Sequence, residues 1–194
     1  MPTTVIRFDD HELVPWKNGL GMTREVANAR RADGAMLWRI SLATVDRDGP
    51  FSDFTGYKRI IMMLSGEGMT LDFGPHGKAV MDRPFVPVLF DGAWPTAATL
   101  HGGPTRDLNV VTAHDGGGSA VEILQLPAEG LELAPGKGLC LIHVLSGRVQ
   151  AKTQGDNPVL ETGDTLRHDS TGAIGTLSPA GGEALVYRID IDLA

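Results

Sequence analysis

Short segments of alternating hydrophobicity, separated by frequent turn residues, limit what this chain can fold into. Trp38, Ile40 and Leu42 take every second position of one such segment, which is the period of a strand with one buried face. The sequence contains 25 glycines and 12 prolines, enough to end an element every few residues. No stretch shows the spacing of a long amphipathic helix. The pattern predicts an all-β protein built from many short antiparallel strands.

A repeated hairpin sequence indicates two related β units. The triplet Leu-Ser-Gly follows an apolar strand at residues 64–66 and again at residues 145–147. Proline, glycine and glutamate concentrate between residues 127 and 138, as they do in connections between units. We therefore predict an N-terminal unit at 1–126 and a smaller C-terminal unit at 127–194, completed by strands from the N-terminal part.

The charge and the single cysteine restrict the partners and the compartment. A formal net charge of -7 disfavours nucleic acid and anionic membranes, which both need a basic surface. Cys140 is the only cysteine and lies in an apolar run, so we expect a buried structural thiol and a reducing compartment. The N-terminus has no basic segment followed by an apolar stretch, and no apolar run approaches membrane-spanning length. We expect a cytoplasmic protein.

The segment from Val14 to Glu25 concentrates the chemistry of a binding site. Within a dozen residues it offers an indole, an ammonium, an amide, a hydroxyl and a carboxylate: Trp16, Lys17, Asn18, Thr23 and Glu25. A core segment would be richer in aliphatic residues. The alternative is a surface turn that Trp16 anchors while the charged side chains remain in solvent.

Further polar residues occupy one face of predicted strands. Arg39 and Ser41 lie opposite the apolar face of their strand, where they would line a cavity in a barrel or be solvated in an open sheet. Asp107 and Asn109 share one face of a strand predicted at 106–112. Because a guanidinium can grip a carboxylate with two hydrogen bonds, we predict a site for a small carboxylate centred on Arg39. Arg59 is expected to be structural.

In this hypothesis each side chain near the carboxylate has its own part. Trp16 covers the ligand, Lys17 adds a point charge, and the side chains of Asn18, Thr23 and Ser41 hydrogen-bond its remaining polar atoms. The predicted ligand site also includes Glu25, His101, Asp107 and Asn109. Acid-base catalysis by Glu25, His101 or Asp107 stays open, because such groups need only meet in space. No nucleophile elbow, phosphate loop or dinucleotide fingerprint occurs in the sequence, and no cofactor is expected.

An ordered series of motifs resembles the HutD/Ves family. The motifs are Pro15-Trp16-Lys17-Asn18-Gly19-x-Gly21-x-Thr23-x-Glu25, Trp38-Arg39-Ile40-Ser41, Asp48-Gly49-Pro50-Phe51-Ser52 with Gly56-Tyr57-x-Arg59, Phe90-Asp91-Gly92 and Gly103-Pro104-x-x-Asp107-Leu108-Asn109-Val110. The resemblance implies a bicupin fold of two antiparallel jelly-roll units and a cytoplasmic bacterial protein. For the HutD branch it implies an association with histidine utilisation, and for the Ves branch a link to stress response. Leu20 departs from the family, which often has glycine there.

Many cupins bind a metal through a His-x-His pair, and this chain has none. His143 lies where such a pair would start in the second unit, but Leu145 occupies its partner's position, and His168 is isolated. We therefore expect no metal site. The leading hypothesis is a non-catalytic regulatory protein that binds urocanate or an N-substituted glutamate. The alternatives are a cupin enzyme, an isomerase or hydrolase acting on a small organic acid, and an interaction protein of the Ves type. A homodimer is left open.

Overall fold

The computed structural model describes residues 3–16, 22–134, 136, 138–169 and 171–192, and within these ranges every strand pairing is antiparallel. The predicted all-β architecture is therefore confirmed. The strands are β1 (Thr3–Ile6), β2 (Glu12–Pro15), β3 (Met22–Arg30), β4 (Met36–Val45), β5 (Gly49–Pro50), β6 (Tyr57–Ser65), β7 (Met69–Asp72), β8 (Lys78–Met81), β9 (Pro87–Asp91), β10 (Ala97–Leu100), β11 (Thr105–Ala113), β12 (Ser119–Gln125), β13 (Leu131–Leu133), β14 (Leu139–Ser146), β15 (Val149–Lys152), β16 (Val159–Leu160), β17 (Thr165–Asp169), β18 (Gly175–Pro179) and β19 (Leu185–Ile191). Phe8–Asp10 and Gly74–His76 form single 3-10 turns. None of the described segments is a helix long and apolar enough to cross a membrane.

The chain divides into two compact units. The N-terminal unit is Glu12–Gly116, and the C-terminal unit combines Met1–His11 with Gly117–Ala194. This division differs from the expected ranges 1–126 and 127–194. The reason lies in strand pairing, because β1 pairs with β17 and β12 pairs with β19, so both strands belong to the sheet of the C-terminal unit.

The N-terminal unit consists of two sheets that share one core. Its six-stranded sheet has the order β2-β3-β4-β11-β6-β9, and its four-stranded sheet has the order β5-β10-β7-β8. Ile61 and Met63 from the first sheet pack with Met69 and Leu71 from the second in one buried cluster. We call the face of the six-stranded sheet that carries Ile61 and Met63 the inner face, because it faces this core.

The C-terminal unit has the same plan. A five-stranded sheet of order β1-β17-β14-β19-β12 and a four-stranded sheet of order β13-β18-β15-β16 share a second core. Cys140 and Ile142 of β14 pack in this core with Ala151 and Leu177. The prediction that Cys140 is buried is confirmed, and burial is the main cause that raises the pKa of its thiol to about 12. Such a thiol is not a reactive nucleophile at neutral pH.

The repeated Leu-Ser-Gly triplets occupy matching places in the two units. The first ends β6 and leads to β7, and the second ends β14 and leads to β15. Gly66 and Gly147 both adopt positive φ angles, of 115° and 79°. A Cβ atom at either glycine would overlap a backbone carbonyl oxygen, that of Pro104 or that of Glu183. Because only glycine fits both conditions, the triplet marks one structural turn used twice.

Candidate functional site

Strand register aligns the residues of the inner face in three rows across the six-stranded sheet. The arginine row contains Asn28, Arg39, Val111, Arg59 and Phe90. The middle row contains Glu25, Ser41, Asn109, Ile61 and Val88. The aspartate row contains Thr23, Ala43, Asp107 and Met63. Because neighbouring rows are two residues apart along a strand, they are separated by about 7 Å. The register thus groups most of the predicted site residues on one face.

Arg59 is the most deeply buried cation of the cluster, with an exposed fraction of 5%. Its guanidinium carbon lies 5.4, 4.9 and 5.0 Å from the ring centroids of Phe51, Phe54 and Phe90. Nη2 donates a hydrogen bond of 2.6 Å to Asn109 Oδ1, while the buried Nε has no hydrogen-bond partner among the described residues. Burial lowers the pKa of Arg59 to about 10, so the side chain still carries its charge near neutral pH.

Arg39 lies in the same row and shares an aromatic neighbour with Arg59. Its guanidinium carbon is 5.3 Å from the centroid of Phe54, and its buried Nε also has no hydrogen-bond partner within the part of the chain that the structure describes. Burial lowers the pKa of Arg39, and the nearby carboxylate of Glu25 opposes that shift. Neither Arg39 nor Arg59 forms a salt bridge within the part of the chain that the structure describes. Two such cations against one ring form an arrangement that favours an anion.

Asp107 and Asn109 extend the cluster from the arginine row to the aspartate row. Asn109 accepts from Arg59 through Oδ1 and donates through Nδ2 to Asp107 Oδ1. Asp107 is 1% exposed, and no described residue forms a hydrogen bond with its second oxygen, Oδ2. Burial is the main cause that raises the pKa of Asp107 to about 7, against the opposing effect of Arg59. A buried carboxyl that titrates near neutrality is typical of functional sites.

Trp16 lies on the same side of the sheet as Arg39. Its ring packs against the core cluster of the N-terminal unit, and Nε1 donates a hydrogen bond of 2.7 Å to Thr23 Oγ1. Thr23 is an inner-face residue, so Trp16 and Arg39 lie on the same face of the sheet. Glu25 accepts a hydrogen bond from Asn28, the residue paired with Arg39.

The remaining predicted residues fall elsewhere. His101 is exposed after β10, and its Nε2 lies 2.8 Å from Thr70 Oγ1 on the four-stranded sheet. The backbone N–H of His101 also donates to Gly68 O, which holds the residue at the β6–β7 turn rather than in the three rows. Lys17 and Asn18 lie outside the described residues.

The inner face of the C-terminal unit differs in its charge balance. Arg188 lies opposite Ile142 of the core, and it forms two hydrogen bonds to Asp190, from Nε at 2.7 Å and from Nη2 at 3.1 Å. Nη2 also donates to Ala134 O. Arg188 of the C-terminal unit therefore forms a salt bridge with a neighbouring residue of its own strand, whereas Arg39 and Arg59 form none among the described residues.

The histidines near the second core do not form a metal-binding arrangement. His143 lies on the face of its sheet opposite to Cys140 and Ile142, and its Nδ1 is 2.9 Å from Thr165 Oγ1. Burial lowers its pKa to about 4. His168 contacts Thr3 Oγ1 at 3.1 Å and the carbonyl oxygen of Gly172 at 3.2 Å. No group of three or more potential metal-ligating side chains occurs among the residues described.

Sequence reasoning did not include Arg59 or the phenylalanines that surround it. The useful signals were present, because Phe51 lies in a motif of the family resemblance and Arg59 begins an apolar strand. What joins Arg59 to Arg39 is the pairing of β11 with both β4 and β6. That pairing brings together residues distant in sequence, and no local pattern reveals it.

Comparison with known proteins places the chain among described relatives. The family model described as HutD matches residues 9–186. An uncharacterized 21.2 kDa protein in the hutC 3' region of Pseudomonas putida is 38% identical over 112 residues, which is 56% of this chain and 57% of that protein. The chain thus matches little more than half the length of that relative. Protein Ves from Citrobacter koseri is 29% identical over 167 residues, or 86% of this chain and 83% of Ves.

Solved structures agree with the architecture. HutD from Pseudomonas fluorescens SBW25 has a TM-score of 0.80 at 25% identity, covering 98% of this chain and 99% of that one. A cupin 2 conserved barrel domain protein from Leptotrichia buccalis has a TM-score of 0.59 at 12% identity, covering 97% and 96% of the two chains, and shows the fold alone. The predicted bicupin fold is confirmed.

Proposed function

The chain belongs to the HutD family, and from that membership and the inner-face cluster we propose that its N-terminal unit binds a small carboxylate. The two guanidiniums of Arg39 and Arg59 hold the anion, and Trp16 covers it. The observation that carries the proposal is that the buried Nε atoms of these two arginines have no hydrogen-bond partner in the described ranges of the chain. A buried donor without an acceptor costs about 1–3 kcal/mol, and a bound carboxylate would remove that cost.

The biological role follows from the relatives. One relative is described by its position in the hutC 3' region, and a similar structure carries the name HutD. We propose that this chain serves histidine utilisation as a cytoplasmic regulatory protein, with urocanate or an N-substituted glutamate as ligand. In this role the protein senses an acid of the pathway, and no chemical step is required of it.

A thermal-shift panel of small carboxylates tests the proposal. A ligand at 100 times its dissociation constant stabilises the folded state by about 2.7 kcal/mol, which raises Tm measurably. We expect Arg39→Ala to fold and to lose this ligand-induced shift. Lys58→Ala is the matched control, because Lys58 is an exposed cation next to Arg59 on β6. An unchanged shift in Arg39→Ala, or no shift with any acid in the wild type, contradicts the proposal.

A second candidate function is catalysis by Asp107. Its buried carboxyl titrates near pH 7, where a group can give and take a proton with equal ease. Incubation of the stabilising acids with purified protein, followed by proton NMR, tests this candidate. Product formation that Asp107→Asn abolishes would establish an enzyme, and an unchanged spectrum would exclude turnover of those acids.

A further inference from the structure

A buried carboxyl and a buried guanidinium are joined through one amide side chain. Asn109 accepts a hydrogen bond from Arg59 Nη2 and donates one to Asp107 Oδ1. Asp107 and Arg59 are both almost fully buried. Because water screens charges weakly at such depth, a change of charge at one group alters the free energy of the other. Arg59 belongs to the proposed anion site, so the charge state of Asp107 depends on what that site holds.

The second oxygen of Asp107 is the one that can hold a proton. Oδ1 accepts the hydrogen bond from Asn109, and no described residue forms a hydrogen bond with the buried Oδ2. A neutral carboxyl carries its proton on one oxygen and still accepts a hydrogen bond at the other. Protonation of Oδ2 therefore leaves the link to Asn109 and Arg59 in place, and the carboxyl can change its charge while the cluster keeps its geometry.

Arg59 supplies the charge that acts on Asp107. Burial raises the pKa of Asp107 to about 7, and the positive charge of Arg59 opposes that rise. Repulsion from Arg39 adds to the burial that lowers the pKa of Arg59. The two arginines and Asp107 therefore form one electrostatic unit, and an anion placed on the arginines changes the balance at the carboxyl.

The surroundings of Asp107 place other titratable groups in different rows or at the surface. Ala43 and Met63 flank Asp107 in the aspartate row. The four-stranded sheet contributes apolar side chains to the same core, namely Met69, Leu71, Ala79, Met81, Ala98 and Leu100. The titratable side chains of the surrounding strands are Arg39 and Arg59 in the arginine row, Glu25 and Glu12 in the middle row, and Tyr57 and Arg30 beyond the arginine row. Past the aspartate row, the titratable side chains are exposed: Asp46, Arg47, Asp48, Glu67, His101 and Arg106.

An anion held by Arg39 and Arg59 favours a proton on Asp107 for two reasons. The bound negative charge cancels the attraction between Arg59 and the Asp107 carboxylate, and it adds a repulsion of its own. Two charges about 10 Å apart, at an effective dielectric constant near 20, change proton binding on the order of tenfold. By linkage, whatever strengthens proton binding in the complex makes anion binding tighter when the proton is present.

We propose that carboxylate binding at Arg39 and Arg59 is coupled to uptake of one solvent proton by Asp107 Oδ2, so that the N-terminal unit binds acids more tightly below neutral pH than above it. The proposal rests on the proposed function and adds the regulation of that site by pH. Asp107 needs no contact with the anion in this role, because its effect passes through Asn109 and Arg59.

Calorimetric titration with N-acetylglutamate tests the proton uptake. Both carboxyls of this acid are ionised above pH 6, so its own charge stays constant. Binding at pH 7.5 is measured in Hepes and in Tris, whose heats of ionisation differ, and the difference gives the number of protons taken up. We expect about 0.5 proton per acid bound, and an affinity about fivefold weaker at pH 8 than at pH 6. If N-acetylglutamate does not bind, the strongest-binding acid of the carboxylate panel replaces it.

Variants assign the uptake to one side chain. Asp107→Asn removes the titrating group and keeps an oxygen that accepts from Asn109. We expect this variant to take up less than about 0.1 proton more than the acid itself does. Glu25→Gln alters the other inner-face carboxylate and should retain the uptake, whatever its affinity. If Asp107→Asn does not fold, carbon-13 NMR of the wild-type aspartate carboxyls replaces it. One aspartate should then titrate near pH 7 without acid and at a higher pH with acid.

The outcomes separate this inference from the proposed function. Binding without proton uptake, and with the same affinity at pH 6 and pH 8, overturns the inference and leaves carboxylate binding standing. Uptake that survives in Asp107→Asn, that Glu25→Gln removes, or that occurs while the aspartate titration stays in place overturns the role of Asp107. Failure of N-acetylglutamate and of every acid in the panel to bind at either pH overturns the proposed function and the inference together.

Discussion

Replacement of Arg59 by methionine should stabilise the protein while it removes ligand binding. Burial lowers the pKa of Arg59 from 12.5 to about 10, and such a shift corresponds to about 3 kcal/mol of unfavourable free energy for keeping the side chain charged. Methionine has a similar length, and its sulfur packs well against the rings of Phe51, Phe54 and Phe90. The loss of the hydrogen bond from Arg59 to Asn109 lowers stability by about 1–2 kcal/mol and offsets part of this gain.

The net gain is about 1–2 kcal/mol, or roughly 2–8 °C in Tm for a chain of this size. Differential scanning calorimetry without ligand, and again with the best acid of the panel, measures both parts of the prediction. The matched control is Arg188→Met in the C-terminal unit, where the same change leaves Asp190 without its ion-pair partner. We expect that control to lower Tm, because one partner of a largely buried pair is removed. A fall in the ligand-free Tm of Arg59→Met, together with a retained ligand shift, would refute the reasoning.

Three further predictions concern pH and stability. Burial raises the folded pKa of Asp107 from its ordinary 3.8 to about 7. The unfolding free energy of the wild type should therefore fall by up to about 4 kcal/mol as pH rises from 4 to 8. Urea unfolding of Asp107→Asn should show no such fall. The pH dependence due to His143 has the opposite sign, because burial lowers its folded pKa from 6.5 to about 4. The wild type should therefore lose about 3 kcal/mol of unfolding free energy as pH falls from 6.5 to 4, and His143→Gln should remove this pH dependence. Asp164 accepts hydrogen bonds from Arg7 Nη1 and from the backbone N–H of Phe8. Asp164→Ala should therefore lower the unfolding free energy by about 2–4 kcal/mol and speed proteolysis near residue 7. Asp156→Ala removes an exposed carboxylate and should leave stability and proteolysis unchanged.

Local patterns predicted the strands that have one polar face. The alternation around Arg39 gave the correct orientation of β4, and Asp107 and Asn109 share a face of β11 as expected. Pro87, which has no backbone N–H, lies in β9, and among the described strands β9 pairs only with β6 and is an edge strand. In each case the signal is a property of neighbouring residues, which the backbone converts directly into a face or an edge.

Pairing between distant strands could not be predicted in this way. Arg59 joins Arg39 only because β11, far along the chain, lies between β6 and β4. Apart from His143, the run from Leu139 to Val144 is apolar at every position, so no alternation in the sequence showed that His143 faces away from the core. The unit boundary also depended on distant pairing, since β1 completes the sheet of the C-terminal unit.

We propose that Arg39 and Arg59, which form no salt bridge among the described residues, hold a carboxylate together. NMR titration of the arginine side-chain Nε–Hε resonances with the most stabilising acid of the carboxylate panel tests this proposal most directly, with Arg39→Lys, Arg59→Met and Arg188→Met used for assignment. We predict that the resonances of Arg39 and Arg59 shift downfield and saturate at the same ligand concentration, while that of Arg188 stays unchanged. Stabilisation by the acid with no shift at Arg39 or Arg59, or with a shift only at Arg188, would contradict the claim.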